Sequence, residues 1–439
     1  MYELHPYFTN DGSVGLFSPA DDDIYHSTYG ALTEALEKFV LPAEPEKYFS
    51  SNHNIKILDI CFGIGYNSKT FFDFFLKNIL YKNNTIAPVH TDNISTAKNN
   101  KIMPKYNIYI RAVDTDKTLS FLAPFVVTGN TKKLKNKKLN FSDERIEKFL
   151  RADENNPKKD KENKNITLRS ARTNCSNYIS GYCKNNHPKL SSETNIIFLQ
   201  EIIKNAPEVL TEPTINQLLS EKTYKEFFDR AIVDLFNFER NKRYKYTPLR
   251  RLDTFLHNIY YNHLSYSYKK ALKALKLCDF NLDLKFEDAR SAVQNDNNLY
   301  NFIFLDAFTP AKCPCLWTLD FFKLLYHHLD DNGLILTYSN SAAVRHAFLQ
   351  AGFNVGKIYN TSAGKFMGTI AAKNSTLIKN NLTEYDLGLT KTKAGIVYRD
   401  KYLNATNEAI INAHRISVEN SDLESSSSYI KRARRKNNV

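Results

Sequence analysis

The segment Ile55-Lys-Ile-Leu-Asp-Ile-Cys-Phe-Gly-Ile-Gly-Tyr-Asn67 constrains what this chain can fold into more than any other stretch. A β-branched apolar run gives way to a tight glycine turn, and apolar residues then continue at helical spacing as far as Leu80, the pattern of a strand, a turn and a helix. Gly63 and Gly65 carry no side chain, so a nucleotide-like ligand can lie against the loop near helix N–H groups. The same two glycines also suit a dehydrogenase or a plain structural turn, so the turn alone does not choose a ligand.

Further strand patterns end in acids. Asn107 to Asp114 closes on a carboxylate, which in a nucleotide-binding sheet often holds ribose hydroxyls and elsewhere is simply solvated. Leu282 to Asp288 ends in a carboxylate pair, and the buried-strand pattern Tyr300 to Asp306 runs into Ala307-Phe-Thr-Pro310. In a doubly wound sheet the ends of parallel strands share one rim, so these acids converge where ligands bind. Downstream, Trp317 to Leu329 reads as a helix, Gly333 to Tyr338 as a strand, Ser341 to Ala351 as a helix and Phe353 to Ile370 as a terminal hairpin. The alternation predicts an α/β sheet with an antiparallel end.

Between Lys117 and Leu277 the chain runs longer than any connection inside a compact domain, so this region carries structure of its own. Thr131 to Arg172 is polar and Lys-rich, with Lys132, Lys133, Lys135, Lys137 and Lys138 close together, whereas Tyr224 to Phe238 and Thr254 to Leu277 are amphipathic at helical spacing. The expected division is therefore 1–116 and 278–375 for the two parts of the sheet domain, 117–277 for a mostly helical insertion, and 376–439 for an extension. That extension ends in the basic run Lys431-Arg-Ala-Arg-Arg-Lys436, which reads equally as a solvated tail or a phosphate-binding arm.

With 42% hydrophobic and 13% aromatic residues the chain can bury a substantial core, and core packing is the first reading of its aromatics. A formal charge of +13 points to an acidic partner such as nucleic acid, although a Lys-rich composition also follows from an AT-rich genome. The first ten residues show no basic-then-apolar export signal, and no run approaches the ~20 apolar residues of a membrane span, so a cytoplasmic protein is expected. Six cysteines fit reduced thiols rather than a disulfide framework. Cys175, Cys183 and His187 form one cluster and Cys313 and Cys315 another, but neither has C-x2-C spacing, so no metal is expected.

Taken together the residues resemble the MnmC-type methyltransferases, which convert 5-aminomethyl (2-thio)uridine in transfer RNA to its methylaminomethyl form. The similarity runs through Ile24 to Glu34, Phe62 to Asn67 and, above all, Phe304-Leu-Asp-Ala-Phe-Thr-Pro-Ala-Lys-Cys-Pro-Cys-Leu-Trp-Thr318. It continues through Thr337 to Arg345 and Ala351 to Phe353, and Lys393 to Asp400 with Leu423 to Ser428 resemble the stand-alone branch of that family. The resemblance implies a Rossmann-like class I methyltransferase sheet and S-adenosyl-L-methionine as cofactor. It implies the anticodon stem-loop of transfer RNA as partner, and no flavin, since the stretch after Ile370 is too short for a flavin domain.

The resemblance also implies roles. Phe62, Gly63, Gly65 and Asn67 would contact the cofactor, the first three at its methionine part, with Asp114 at the ribose and Asp288 at the adenine amine. Tyr25, Glu34 and Asp306 would line the reaction pocket, and a flipped-out wobble base would meet aromatic rings such as Tyr25 or Trp317. Cys61 departs from the pattern, standing where such loops usually carry a first glycine. Two other readings stay open on sequence: a non-catalytic RNA-binding protein on the same fold, and a nicotinamide-dependent oxidoreductase, against which the incomplete G-x-G-x-x-G counts.

Overall fold

The computed structural model describes residues 5–9, 11, 13–18, 23–26, 30–81, 105–123, 190–205, 266–360 and 364–436. Its centre is a seven-stranded sheet in the order β6-β5-β4-β7-β8-β10-β9. The strands are β4 (Asn54–Ile60), β5 (Tyr106–Asp114), β6 (Cys278–Phe286), β7 (Tyr300–Leu305), β8 (Leu329–Thr337), β9 (Asn354–Asn360) and β10 (Lys365–Ala372). β4, β5, β6, β7 and β8 pair in parallel, while β10 runs antiparallel to both β8 and β9. This is the expected Rossmann-like methyltransferase sheet with its antiparallel hairpin.

Alternation along each strand explains why the sheet is covered on both faces. Ile57, Ile110, Phe302 and Phe304 point to one side, where Phe39, Phe71, Phe72, Phe75 and Phe198 cover them. Leu58, Ile60, Ile303 and Leu305 point to the other, against Val293, Phe321, Phe322, Val344 and Phe348. Helix Tyr66–Phe75 is buried along its whole length although half of its residues are polar, and Asn67, Ser68, Lys69 and Asp73 are hydrogen-bonded within the fold. Its Asp73 accepts hydrogen bonds from the Ser191 N–H (2.8 Å) and the Thr194 hydroxyl (2.9 Å), which docks helix Ser192–Asn205 beside it. Helix Tyr266–Leu277 then leads directly into β6, so two of the three described helices from the 117–277 region, Ser192–Asn205 and Tyr266–Leu277, pack on the sheet domain. The lysine cluster at 132–138, the Cys175, Cys183 and His187 cluster and the amphipathic stretch 224–238 lie outside the described residues.

Some boundaries differ from the sequence reading. β8 begins at Leu329 rather than Gly333, because Leu329 pairs with Tyr300 ahead of a register shift. Trp317 belongs to the turn Pro314–Trp317, and the helix Leu319–His328 starts only after Thr318, whose side chain caps it. A small sheet of β1 (His5–Phe8), β2 (Val14–Ser18) and β3 (Asp23–Ile24) precedes the first helix. The basic terminal run forms helix Ser426–Lys436, whose Tyr429 ring lies 5.7 Å from Tyr385 of helix Glu384–Thr390.

Two buried side chains test this account. Phe72 is 0% exposed and its ring lies 4.2 Å from Phe280. Phe72→Ala should lower stability by about 3–5 kcal/mol in urea unfolding, and an unchanged midpoint would contradict the packing. Asp59, also fully buried, accepts hydrogen bonds from the hydroxyl and the backbone N–H of Ser68, yet burial raises its carboxyl to about 7. The folded chain therefore holds this proton over a pH range in which the unfolded chain has released it. The resulting stability is complete below about pH 4 and is lost as pH rises towards about 7. Asp59→Asn should flatten the decline in urea midpoint across that window.

Candidate active site

The strand order reverses between β4 and β7, and the chain leaves both strands at the same rim, the crevice where ligands enter such sheets. The turn after β4 is held by backbone bonds. The Cys61 and Phe62 N–H groups both donate to the Val113 carbonyl, at 2.9 and 3.1 Å, and the Gly65 N–H donates to Phe62 O at 2.8 Å. The Gly63 N–H donates to the Asp114 carboxylate at 2.7 Å, tying the turn to the end of β5. Cys61, Gly63 and Gly65 all have positive φ, of 64, 56 and 77°. Cys61 thus keeps the left-handed backbone a glycine would adopt, at a strain of roughly 1–2 kcal/mol, and its side chain faces the ligand space. Gly65 sits behind the turn, where a Cβ would come within 2.6 Å of the Phe62 ring.

Above this rim is a cavity of about 790 Å³. Tyr25, Glu34, Phe62, Gly63, Asn67, Asp114, Asp288 and Asp306 line it, so all but Gly65 of the residues assigned to the cofactor or the reaction pocket meet there. Asp306 follows β7 directly and accepts a hydrogen bond from the Asn67 side chain at 2.9 Å, so Asn67 reaches this carboxylate. Burial, reinforced by the charge of Glu34, raises the Asp306 carboxyl to about 6. Burial likewise raises Asp114 to about 6, against hydrogen bonds from the Asp116 and Gly63 N–H groups.

Glu34 is positioned by the small N-terminal sheet. Asp11 accepts bonds from the Thr33 N–H and hydroxyl, each at 2.8 Å, and the Ser13 hydroxyl accepts from the Ala31 N–H at 2.9 Å. These bonds fix the start of helix Ala31–Ala35, where Glu34 pairs with Lys38. Tyr25 stands edge-on to Phe308, with ring centroids 5.1 Å apart. Trp317, by contrast, is 0% exposed and donates its indole N–H to Phe308 O at 2.7 Å, so it fixes the turn and is not available to stack on a base.

Asp288 caps helix Ala289–Gln294 and holds the Arg290 guanidinium at 2.6 Å, which keeps its carboxyl below the ordinary carboxylate range. Arg290 also reaches Asp400 at 2.6 Å and Ala405 O at 2.8 Å. Residues Ala405, Thr406 and Asn407 thereby form part of the cavity wall, a contribution from the extension that sequence reasoning missed. His26 was missed as well: it lines the cavity against Tyr66, and burial lowers it to about 4, so it is neutral at physiological pH. Cys313 and Cys315 lie on the same wall, and among the described residues no group of three or more His, Cys, Asp or Glu is placed to hold a metal.

The cavity fits a nucleoside-sized cofactor. Its volume exceeds that of one such molecule, and a Cβ on Gly63 would meet no protein atom closer than 3.9 Å, which leaves the approach to the turn clear. Carboxylates stand at the ends of two adjacent strands, suited to ribose hydroxyls and to a ring amine. Among the described residues no helix is long and apolar enough to cross a membrane.

Residues 252–374 match the S-adenosyl-L-methionine-dependent methyltransferase family. The uncharacterized protein MJ0670 of Methanocaldococcus jannaschii is 34% identical over 133 residues, which are 30% of this chain and 37% of that protein. The tRNA 5-methylaminomethyl-2-thiouridine biosynthesis bifunctional protein MnmC of Burkholderia vietnamiensis is 35% identical over 85 residues, 19% of this chain and 13% of that protein. This chain therefore spans well under two thirds of either relative. The crystal structure of MNMC2 from Aquifex aeolicus aligns over 95% of this chain and 86% of that one, at 18% identity and a TM-score of 0.47. The family match counts against the oxidoreductase and non-catalytic readings, and over residues 252–374 the chain is similar to the S-adenosyl-L-methionine-dependent methyltransferases.

Proposed function

We propose that this enzyme methylates the 5-aminomethyl group of (2-thio)uridine at the wobble position of transfer RNA, giving 5-methylaminomethyl-(2-thio)uridine. One observation carries the reading: a half-buried carboxylate, Asp306, stands at the switch point of the sheet, oriented by Asn67 on a cavity wall shared with Glu34 and Tyr25. S-adenosyl-L-methionine supplies a methyl group already activated on a sulfonium. Phe62 and Gly63 would hold its methionine part, Asp114 its ribose and Asp288 its adenine.

The protein then has to present a neutral amine and take up a proton. With a carboxyl raised to about 6, Asp306 is ionised at neutral pH yet more basic than a solvated carboxylate. It accepts a hydrogen bond from the amine, which turns the nitrogen lone pair away from the carboxylate, and it takes the proton that the nitrogen sheds on methylation. Glu34, paired with Lys38, keeps a second carboxylate beside it. Tyr25 and Phe308 offer rings to a base drawn out of the anticodon stack. The net charge of +13 suits the phosphates of the anticodon stem-loop. In this reading 1–116 and 278–375 make up the methyltransferase domain, 117–277 an insertion, and 376–439 an extension that completes the cavity wall.

Asp306→Asn keeps the size of the side chain but cannot take a proton. It should cut the single-turnover rate with undermodified transfer RNA by ~100 to 10,000-fold at saturating cofactor, while leaving cofactor affinity nearly intact. The loss should ease at alkaline pH, where more of the amine is already neutral. In the wild type the rate should fall as pH drops through about 6, where Asp306 is protonated. Near-normal rates in the variant would remove Asp306 from its role. Asp288→Ala should weaken cofactor binding with little effect at saturation, because a contact made equally in ground and transition states changes binding alone. A variant slow even at saturation would contradict that assignment.

A further inference from the structure

Cys313 and Cys315 face each other on the wall of the cavity with their sulfurs 3.6 Å apart. The turn that carries them is rigid. The Lys312 and Cys313 N–H groups donate to Thr309 O at 2.8 and 2.9 Å, and Pro314 fixes the backbone between the two cysteines. The Cys315 N–H donates to the Asn407 side chain at 3.2 Å, and Trp317 anchors the end of the turn. Nothing in methyl transfer uses two thiols here.

We propose that Cys313 and Cys315 form a redox-modifiable dithiol on the cofactor wall, oxidised to an intramolecular disulfide by small organic disulfides. The thiolate of Cys315 attacks one sulfur of the disulfide and expels the other as a thiolate, leaving a mixed disulfide on Cys315. Cys313 then loses its proton and attacks the Cys315 sulfur, expelling the second thiolate. Two electrons pass from the cysteine pair to the small disulfide, and the two cysteine protons end on the two released thiols.

The two sulfurs divide these roles by their surroundings. A hydrogen bond shared with Cys313 and the positive charge of the Arg290 guanidinium hold the Cys315 thiol below its ordinary range, which makes it the better nucleophile. Cys313, through the same hydrogen bond, is pushed upward and serves as the resolving thiol. Burial pushes Cys61 and Cys278 upward as well, which leaves both as poor attackers. Closing the bond draws the sulfurs from 3.6 Å to about 2 Å, removing the sulfur hydrogen bond and any thiolate that Arg290 could face, and Arg290 also holds Asp288. Oxidation and cofactor occupancy should therefore oppose each other, and by linkage the opposition is reciprocal. This coupling rests on the cofactor assignment made above, whereas formation of the disulfide does not.

The test treats the reduced full chain with bis(hydroxyethyl) disulfide and follows peptide masses over time, with and without saturating S-adenosyl-L-homocysteine. The expected product links Cys313 to Cys315, and the homocysteine compound should slow its formation about tenfold. Cys313→Ser should stop at a stable mixed disulfide on Cys315, and Cys315→Ser should react slowly at Cys313. A persistent mixed disulfide in the wild type, or faster modification of Cys61 or Cys278, would overturn the dithiol. A Cys313–Cys315 bond that forms at the same rate with and without S-adenosyl-L-homocysteine would uphold the dithiol and overturn its coupling to the cofactor if calorimetry shows the compound bound, and would overturn the cofactor assignment if it shows no binding.

Discussion

The turn at the end of β4, folded back onto the end of β5, is the constraint on which the rest of the site depends. Two consecutive N–H groups, of Cys61 and Phe62, converge on the Val113 carbonyl, and the next, of Gly63, goes to the Asp114 carboxylate. That arrangement needs left-handed backbone at three positions, of which only two are glycine. The strain at Cys61 is accepted because buried N–H groups left without acceptors would cost more. Once the turn is set, helix Tyr66–Phe75 starts where Asn67 reaches Asp306, and the two chemical halves of the cavity are in register.

Electrostatics gives that cavity its preference. Burial raises Asp59, Asp114 and Asp306 together, and Asp306 and Asp114 both add to the rise at Asp59. Asp114 and Asp306 stand together at the rim, where a ligand bearing positive charge would offset the cost of keeping both ionised. The arginine on the far side, Arg290, is already committed to Asp288 and Asp400, so its charge is spent on structure. The extension thereby becomes a structural part of the cavity, although it adds none of the carboxylates at the rim.

The sheet was legible because buried parallel strands are written as nearly continuous apolar runs, and the alternation of Phe302, Ile303, Phe304 and Leu305 already sorts the two faces. Acids placed directly after such runs pointed to Asp114 and Asp306, and Cys61, which the sequence set apart, has the left-handed backbone that a glycine would adopt. The strand boundaries were less legible: β8 starts early only because Leu329 pairs with Tyr300 ahead of the register shift, a tertiary fact. The N-terminal sheet has strands of four, five and two residues, too short for a period to register. The link from Arg290 to Asp400 joins residues 110 positions apart, and Trp317 looked suitable for stacking until its complete burial was seen. A single sequence carries no signal for either.

On the proposed function, this rim binds an S-adenosyl ligand through the turn at Gly63 and the carboxylate of Asp114. Isothermal titration calorimetry of the full chain with S-adenosyl-L-homocysteine and, separately, with NAD tests it most directly. The account predicts single-site binding of the homocysteine compound, no heat with NAD, and loss of the signal in Asp114→Ala protein that still unfolds cooperatively. Binding of NAD without binding of S-adenosyl-L-homocysteine, or unchanged affinity in Asp114→Ala, would contradict it.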